Sequence, residues 1–291
     1  MAKVLITGAS KGIGRETALV LARAGYDVVA AMRRPAESDL EGVAARESLP
    51  ITLAELDVDS DASVAKLFAS DAGRPETLDV LVNNAGIYSI NAVEDETLEK
   101  FQQVMDTNFF GTLRCCKAVA AAFRTRRSGT IVNVTSIAAK IVGMASGAYS
   151  ASKFATEAMS EALAQELGAF GVRVAVVEPG IIATPMTIEN LPKVRQGSPY
   201  PHGGRMRAFY LPTASGGPPP SIVAETIKDI IEGRSTKFRN PTGPDAEPFL
   251  GLRASQTDEQ WIGLSDTLDD DVYFDRFQAI SGMDLRPPKG A

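Results

Sequence analysis

Tyr149 and Lys153 lie four residues apart in the run Tyr149-Ser150-Ala151-Ser152-Lys153. On a helix, residues at that spacing share one face. A phenol ordinarily ionises near pH ~10, too high for acid–base work at neutrality. A positive charge a few Å away favours the phenolate, so Lys153 is expected to pull the Tyr149 pKa down. Such a phenol could give a proton to a carbonyl oxygen or take one from an alcohol. The pair alone also describes any helix with an exposed lysine. Its weight comes from the elements that must position it.

Lys3–Thr7 is a short β-branched run that stops at Gly8-Ala9-Ser10-Lys11-Gly12-Ile13-Gly14, and Arg15–Ala24 follows with helical periodicity. Strand, glycine turn and helix in that order open a nucleotide-binding βαβ unit. Gly8 permits the tight turn, while Gly12 and Gly14 let a pyrophosphate approach the backbone at the helix N-terminus. The second strand, Tyr26–Met32, ends in Arg33-Arg34 rather than in the acid that would hold a ribose hydroxyl of NAD. With Lys11 in the loop, these cations predict a 2′-phosphate and hence NADP(H) as cofactor.

Further strands are expected at Ile51–Leu56 (followed by Asp57-Val58), Leu78–Val82 (then Asn83-Asn84-Ala85-Gly86), Thr130–Val134 (then Thr135-Ser136), Val172–Val177 (then Glu178-Pro179-Gly180) and, at an edge, Ser235–Asn240. Strands alternating with helices predict an α/β single-domain Rossmann fold: a doubly wound parallel sheet of about seven strands with helices on both faces. A long helix over Thr97–Arg126 contains Asp106-Thr107-Asn108. Asparagine is a mediocre helix former, so a local kink or a polar task is expected there.

The 291 residues carry a formal net charge of −6. No basic stretch suits nucleic acid, and Arg124–Arg127 reads as the cationic last turn of a helix. The only cysteines, Cys115 and Cys116, are adjacent in an apolar helical run and read as core. With a single histidine, His202, a His/Cys metal site is not expected. No apolar run is long enough to span a bilayer, and the N-terminus runs straight into a strand, which predicts a cytoplasmic protein. Pro185–Pro220 is rich in Pro, Gly and Ser, with Met186, Ile188, Leu191, Tyr200, Met206, Phe209, Tyr210 and Leu211 among them. Its place after the sixth strand predicts a flexible lid for an apolar substrate, with His202 at its surface. Ile222–Ile231 reads as an amphipathic helix. Weak helical segments follow from Gly251 to Ile280 with Trp261, Tyr273 and Phe274, and Thr267–Asp271 is expected to be exposed. Residues 1–250 are read as the catalytic domain, and 251–291 as an extension packed on it.

Between Lys3 and Thr184, and more loosely to about Asn240, the chain resembles the short-chain dehydrogenase/reductase family in its compact branch. The resemblance rests on the Thr7–Gly14 loop, Asn83-Asn84-Ala85-Gly86, Asn108, Ser136, Tyr149, Lys153, Pro179-Gly180 and Thr184, in order. It implies Tyr149 as general acid and Lys153 as the group that lowers its pKa and bonds the nicotinamide ribose. Ser136 would polarise the carbonyl, and Asn108 would hold a water leading from Lys153 to solvent. Asp57 and Val58 would meet the adenine. Asn84, Ala85 and Gly86 would border the cofactor, and Pro179, Gly180, Ile182 and Thr184 would flank the nicotinamide. It also implies an NADPH-dependent carbonyl reductase on a small-molecule substrate, somewhat like hydroxysteroid or retinoid reductases. A homodimer or homotetramer would pair the helices around Thr97–Arg126 and Tyr149–Leu167 through residues such as Phe109, Phe110, Val119 and Phe154; the same residues could instead face the sheet. The alternatives are an NADP(H) sensor without turnover, which would need no acid, and a nucleotide-sugar epimerase or dehydratase, which the glycine spacing disfavours.

Overall fold

The structure, a computed structural model, describes residues 1–189, 197–214 and 216–286. Among these residues seven strands form one parallel sheet: β1 (Lys3–Thr7), β2 (Asp27–Met32), β3 (Ile51–Glu55), β4 (Val80–Asn83), β5 (Gly129–Val134), β6 (Val172–Pro179) and β7 (Arg239–Thr242). Their spatial order is β3-β2-β1-β4-β5-β6-β7. The winding direction reverses between β1 and β4, and ligands of open α/β sheets bind outside the strand carboxyl ends at that point.

Valine, isoleucine and leucine fill both faces of the strands, as a sheet covered on both sides requires. On one face, Val4, Ile6, Val28 and Val82 meet α1 (Gly12–Arg23), α2 (Leu40–Glu47) and α9 (Ser221–Ile231). On the other, Leu5, Val29, Leu81 and Ile131 meet α3 (Asp61–Ala69), α5 (Gly111–Arg126) and α6 (Gly147–Gly168). Cys115, Cys116, Val119 and Phe123 of α5 lie in that second core. Val119 is therefore sheet-facing and unavailable to a subunit interface, whereas Phe110 and Phe154 are 45% and 41% exposed.

Three expectations change. The helix over 97–126 is divided: α4 (Leu98–Met105) passes through one π-helical turn, Asp106–Phe110, into α5. The wide turn turns Asn108 inward to bond both backbone groups of Ile87, with Ile87 N–H donating to Oδ1 at 2.8 Å and Nδ2 donating to the carbonyl at 3.0 Å. The edge strand lies further along than Ser235–Asn240 and includes Pro241, whose missing N–H is tolerated at a sheet edge. The segment read as a flexible lid contains α7 (Pro185–Glu189) and α8 (His202–Ala214); Leu191 lies outside the described residues.

Helix α8 forms because its inner side is covered. It packs on α10 (Ala246–Ala254), α11 (Asp258–Gly263) and α12 (Asp270–Ser281) in a third apolar cluster with Ala208, Phe209, Leu264, Tyr273, Phe274 and Phe277. Arg205 of α8 is fully buried. Its guanidinium lies 4.6 Å from the Tyr273 ring centre and donates to Asp270 at 2.7 Å and to the Thr267 carbonyl at 2.9 Å. Residues 268–271 are exposed as expected, and the acidic stretch also docks, with Asp270 paired to Arg205 and Asp269 capping α12. His202 is half-buried rather than superficial, stacked on Tyr200, with Nδ1 enclosed and unpartnered among the described residues. Among the described residues, no helix is long and apolar enough to cross a membrane.

Candidate active site

Tyr149 and Lys153 occupy the first turns of α6, whose inner face is lined by small polar residues. Asn108 Nδ2 donates to Ser152 at 2.9 Å, and Asn133 Nδ2 donates to Ser160 at 2.8 Å, so this face sits close against its neighbours. Lys153 is buried and donates to the Val134 carbonyl at 3.0 Å, with Nζ 5.6 Å from the Tyr149 ring centre. Burial brings its pKa down to about 8, opposed by the charge of Glu157. The expected depression of Tyr149 is not found. Burial raises its pKa, a hydrogen bond with Ser136 partly opposes this, and Tyr210 adds to the rise. Enclosure penalises the phenolate before a lysine turned towards Val134 can favour it.

Ser136 stands two residues beyond β5, in extended backbone. Its hydroxyl accepts from the Ala138 amide at 3.1 Å and donates to the Pro179 carbonyl at 3.4 Å. Asn108 is buried one layer behind and forms no wall of either cavity. Thr112 and Thr156 both donate to its main-chain carbonyl, at 2.9 and 3.3 Å.

Along the carboxyl ends of β1, β2 and β4 runs a polar cleft of about 560 Å³. It is walled by Gly8, Ser10, Lys11, Gly12 and Ile13, by Arg33 and Arg34, by Asp57 and Val58, by Asn84, Ala85 and Gly86, and by Pro179, Gly180, Ile182 and Thr184, and it ends at Ser136, Tyr149 and Lys153. Gly14 stands outside it. A Cβ there would fall 2.4 Å from Asn84 Nδ2 and 2.5 Å from the Gly8 carbonyl. A side chain at this position has no room in the packed loop. Gly8 has φ +67°, and a Cβ would strike Ala85 Cα at 2.7 Å. Asn84 is itself a brace, donating from Nδ2 to the carbonyls of Thr7 and Gly8. Asn83 bridges β4 to Asn133 of β5 at 2.8 Å. Arg34 pairs with Glu37 at 3.4 Å, while Arg33 makes no hydrogen bond among the described residues. Thr184 caps the start of α7, accepting from the Thr187 amide at 3.3 Å.

A second, mainly apolar chamber of about 710 Å³ lies under α8 and the C-terminal helices, walled by Tyr88, Met144, Met206, Phe209, Tyr210, Trp261 and Phe277 among others. Ser136, Tyr149, Gly180, Met186 and Thr187 belong to both cavities, so the reactive groups stand where they join. Sequence reading missed Tyr88, although it stands two residues beyond Gly86, a predicted cofactor neighbour. It also missed a buried acidic pair. Glu157 accepts from Thr135 at 2.8 Å and from Arg239 at 3.1 Å. Burial pushes Glu178 up to about 7, aided by the charge of Glu157.

Strand order and helix placement define the Rossmann class of nucleotide-binding folds. Within it, the chain belongs to the short-chain dehydrogenase/reductase family of oxidoreductases: the family described as short chain dehydrogenase matches residues 2–195. Retinol dehydrogenase 8 of Bos taurus is 37% identical over 265 residues, spanning 86% of this chain and 84% of the relative. A 3-oxoacyl-[acyl-carrier-protein] reductase of Synechocystis sp. is 35% identical over 70% of this chain and 86% of the relative. A solved short-chain dehydrogenase from Streptomyces avermitilis superposes with TM-score 0.73 at 29% identity, covering 91% of this chain and 98% of that one.

Proposed function

We propose that the protein is an NADP(H)-dependent carbonyl reductase, or in reverse an alcohol dehydrogenase, acting on an apolar substrate of medium to large size. One observation carries the reading: a polar cleft and an apolar chamber meet at Ser136 and Tyr149. The cofactor's dinucleotide would be held by the Gly8–Gly14 backbone, Asp57 and Val58 at one end and by Asn84–Gly86, Pro179, Gly180, Ile182 and Thr184 at the other. When bound, NADPH supplies hydride. Arg33 and Arg34, exposed at the end of β2, suit a 2′-phosphate, with Arg34 sharing the cleft wall with its ion-pair partner Glu37.

The protein's own part is orientation and proton delivery. Ser136 and Tyr149 hold the carbonyl oxygen through their hydroxyls. Burial keeps Tyr149 protonated at neutrality, which is the state a proton donor needs. Lys153, with its pKa near 8, is mostly charged at neutrality and stabilises the phenolate left after the transfer. Asn108 fastens the Ile87 backbone to α6 behind Lys153. Likeness to retinol dehydrogenase 8, which extends beyond the family core, supports a long apolar alcohol or aldehyde. Residues 1–250 would then be the catalytic domain, with 251–291 an extension that helps wall the chamber. Exposed Phe110 and Phe154 suit a homodimer, and buried thiols suit a cytoplasmic, reducing compartment.

The test is NADPH consumption, followed by absorbance, with ketones and aldehydes graded from small to steroid-sized. Turnover rising with apolar bulk is expected. Tight NADPH binding with no turnover on any compound would overturn the reading in favour of a sensor.

A further inference from the structure

The chamber holds two phenols that proton delivery does not use. Tyr88 on the loop after β4 and Tyr210 on α8 join hydroxyls at 2.6 Å. Tyr88 also sets its ring edge-on to Tyr149, with centroids 4.9 Å apart and planes at 85°. Both wall the chamber, and burial raises both pKa values, so both are protonated. Two phenols carry two protons, and the one bond between them uses one. Tyr88 donates and Tyr210 accepts, which leaves the Tyr210 O–H to be given away. Among the described residues, none takes it in a hydrogen bond. The charge of Asp245 reaches Tyr210 through space. However, Asp245 Oδ2 accepts from the Ile181 amide at 2.8 Å, and Oδ1, packed against Gly180, is a buried acceptor that makes no hydrogen bond with Tyr210 or any other described residue. Two other polar groups on the chamber wall are satisfied internally: Ser146 donates to the Gly143 carbonyl at 2.6 Å, and Arg253 pairs with Asp258; the Tyr273 hydroxyl, at the far side beside Arg205, makes no hydrogen bond among the described residues. An enclosed donor without an acceptor is unfavourable, and one facing a ligand chamber is relieved by a ligand acceptor.

We propose that the Tyr88–Tyr210 pair is a second oxygen-binding site, which takes a hydrogen-bond acceptor on the substrate other than the carbonyl being reduced. The favoured substrates are then dioxygenated: an apolar carbonyl compound with a second carbonyl, ester or hydroxyl oxygen close to the reacting carbon. This rests on the carbonyl-reductase reading. It makes α8 part of substrate selection, because the site exists only with Tyr210 brought against Tyr88.

Binding to the NADP⁺-loaded protein, which cannot reduce a ketone, isolates the site from catalysis. Calorimetry would compare a long-chain monoketone with diketones of the same length, the second carbonyl α, β or γ to the first. One diketone is expected to bind about tenfold more tightly, the scale of one buried hydrogen bond. Tyr210→Phe should remove that advantage, with a clearly smaller loss of monoketone than of diketone affinity. Tyr88→Phe should remove part of it, because the Tyr210 hydroxyl stays but loses its anchor. Equal binding of all ligands by the wild type overturns the proposal. So does an equal loss for mono- and diketones in Tyr210→Phe, with thermal denaturation checking that the variant is folded. NADPH turnover judges the wider reading separately. A binding advantage without turnover would sink the reductase and keep the site; turnover without the advantage would do the reverse.

Discussion

The cleft beside the Gly8–Gly14 loop and the chamber under α8 share Ser136 and Tyr149 but are built in opposite ways. The cleft is walled by backbone and short loops at the ends of neighbouring strands, fixed by the sheet and by braces such as Asn84 on Thr7 and Gly8. The chamber is walled by side chains from Tyr88 to Phe277, carried on helices that pack after the sheet is complete. Helix α8 above it is held by a buried guanidinium, apolar rings and one bond between phenols. A cleft made by the sheet is fixed by the fold, whereas a chamber made by added helices can change its walls without disturbing the cleft.

The sharpest test of that division acts where the two regions meet. Tyr149→Phe removes the proposed proton donor and is expected to lower kcat by roughly 10²–10⁴-fold, the usual range for a positioned acid. NADPH affinity, measured by fluorescence titration, should stay unchanged; retained turnover would sink the proton-donor assignment. Next in size is Asp270→Ala, which leaves the buried Arg205 without its carboxylate. A loss of about 2 kcal/mol is expected, read by denaturant unfolding, with NADPH binding preserved. If NADPH binding fell in proportion, the chamber and the cleft would not be separable.

Arg33→Asp tests the cleft from the other side. It should weaken NADPH by about tenfold, a lost charge-assisted contact plus repulsion, and spare NADH. Equal losses would show that Arg33 does not read a phosphate. The smallest effect concerns Glu178, whose folded pKa of about 7 exceeds its ordinary 4.5. The folded state therefore holds a proton that the unfolded chain has lost between those values. That contribution is fully present below pH 4.5 and is lost as pH rises through about 7. Glu178→Gln should flatten this part of the stability profile, measured by thermal denaturation across pH; an unchanged slope would refute it.

Much of the sheet is legible in the sequence because buried parallel strands are dense in Val, Ile and Leu and end in recognisable loops. β1 matches its expected span, and most other strand ends shift by a residue or two. β7 was harder to place because an edge strand carries little apolar signal and here contains Pro241. The π-helical turn at Asn108 was foreshadowed only as a kink, since the bond to Ile87 that fixes it spans 21 positions in the chain. The Tyr149 pKa ran opposite to expectation because helix spacing reports which charge is near, while burial depends on what Tyr88, Ser136 and Tyr210 enclose. Helix α8 was hidden by Gly203, Gly204 and Pro212, all poor helix formers, and is held by tertiary cover instead.

The sequence by itself determined the family, the alternating α/β order and the residue types at the strand ends. These depend on local spacing: a glycine loop before a helix, a Tyr and a Lys one turn apart. The tertiary structure alone decided the rest. It brought Tyr210 to Tyr88, buried Arg205 against Asp270, gave Gly14 a packing task and joined two cavities at one serine and one tyrosine. The physical reason is that burial and hydrogen-bond pairing belong to groups far apart in the chain, and no local pattern of residues records which of them will meet.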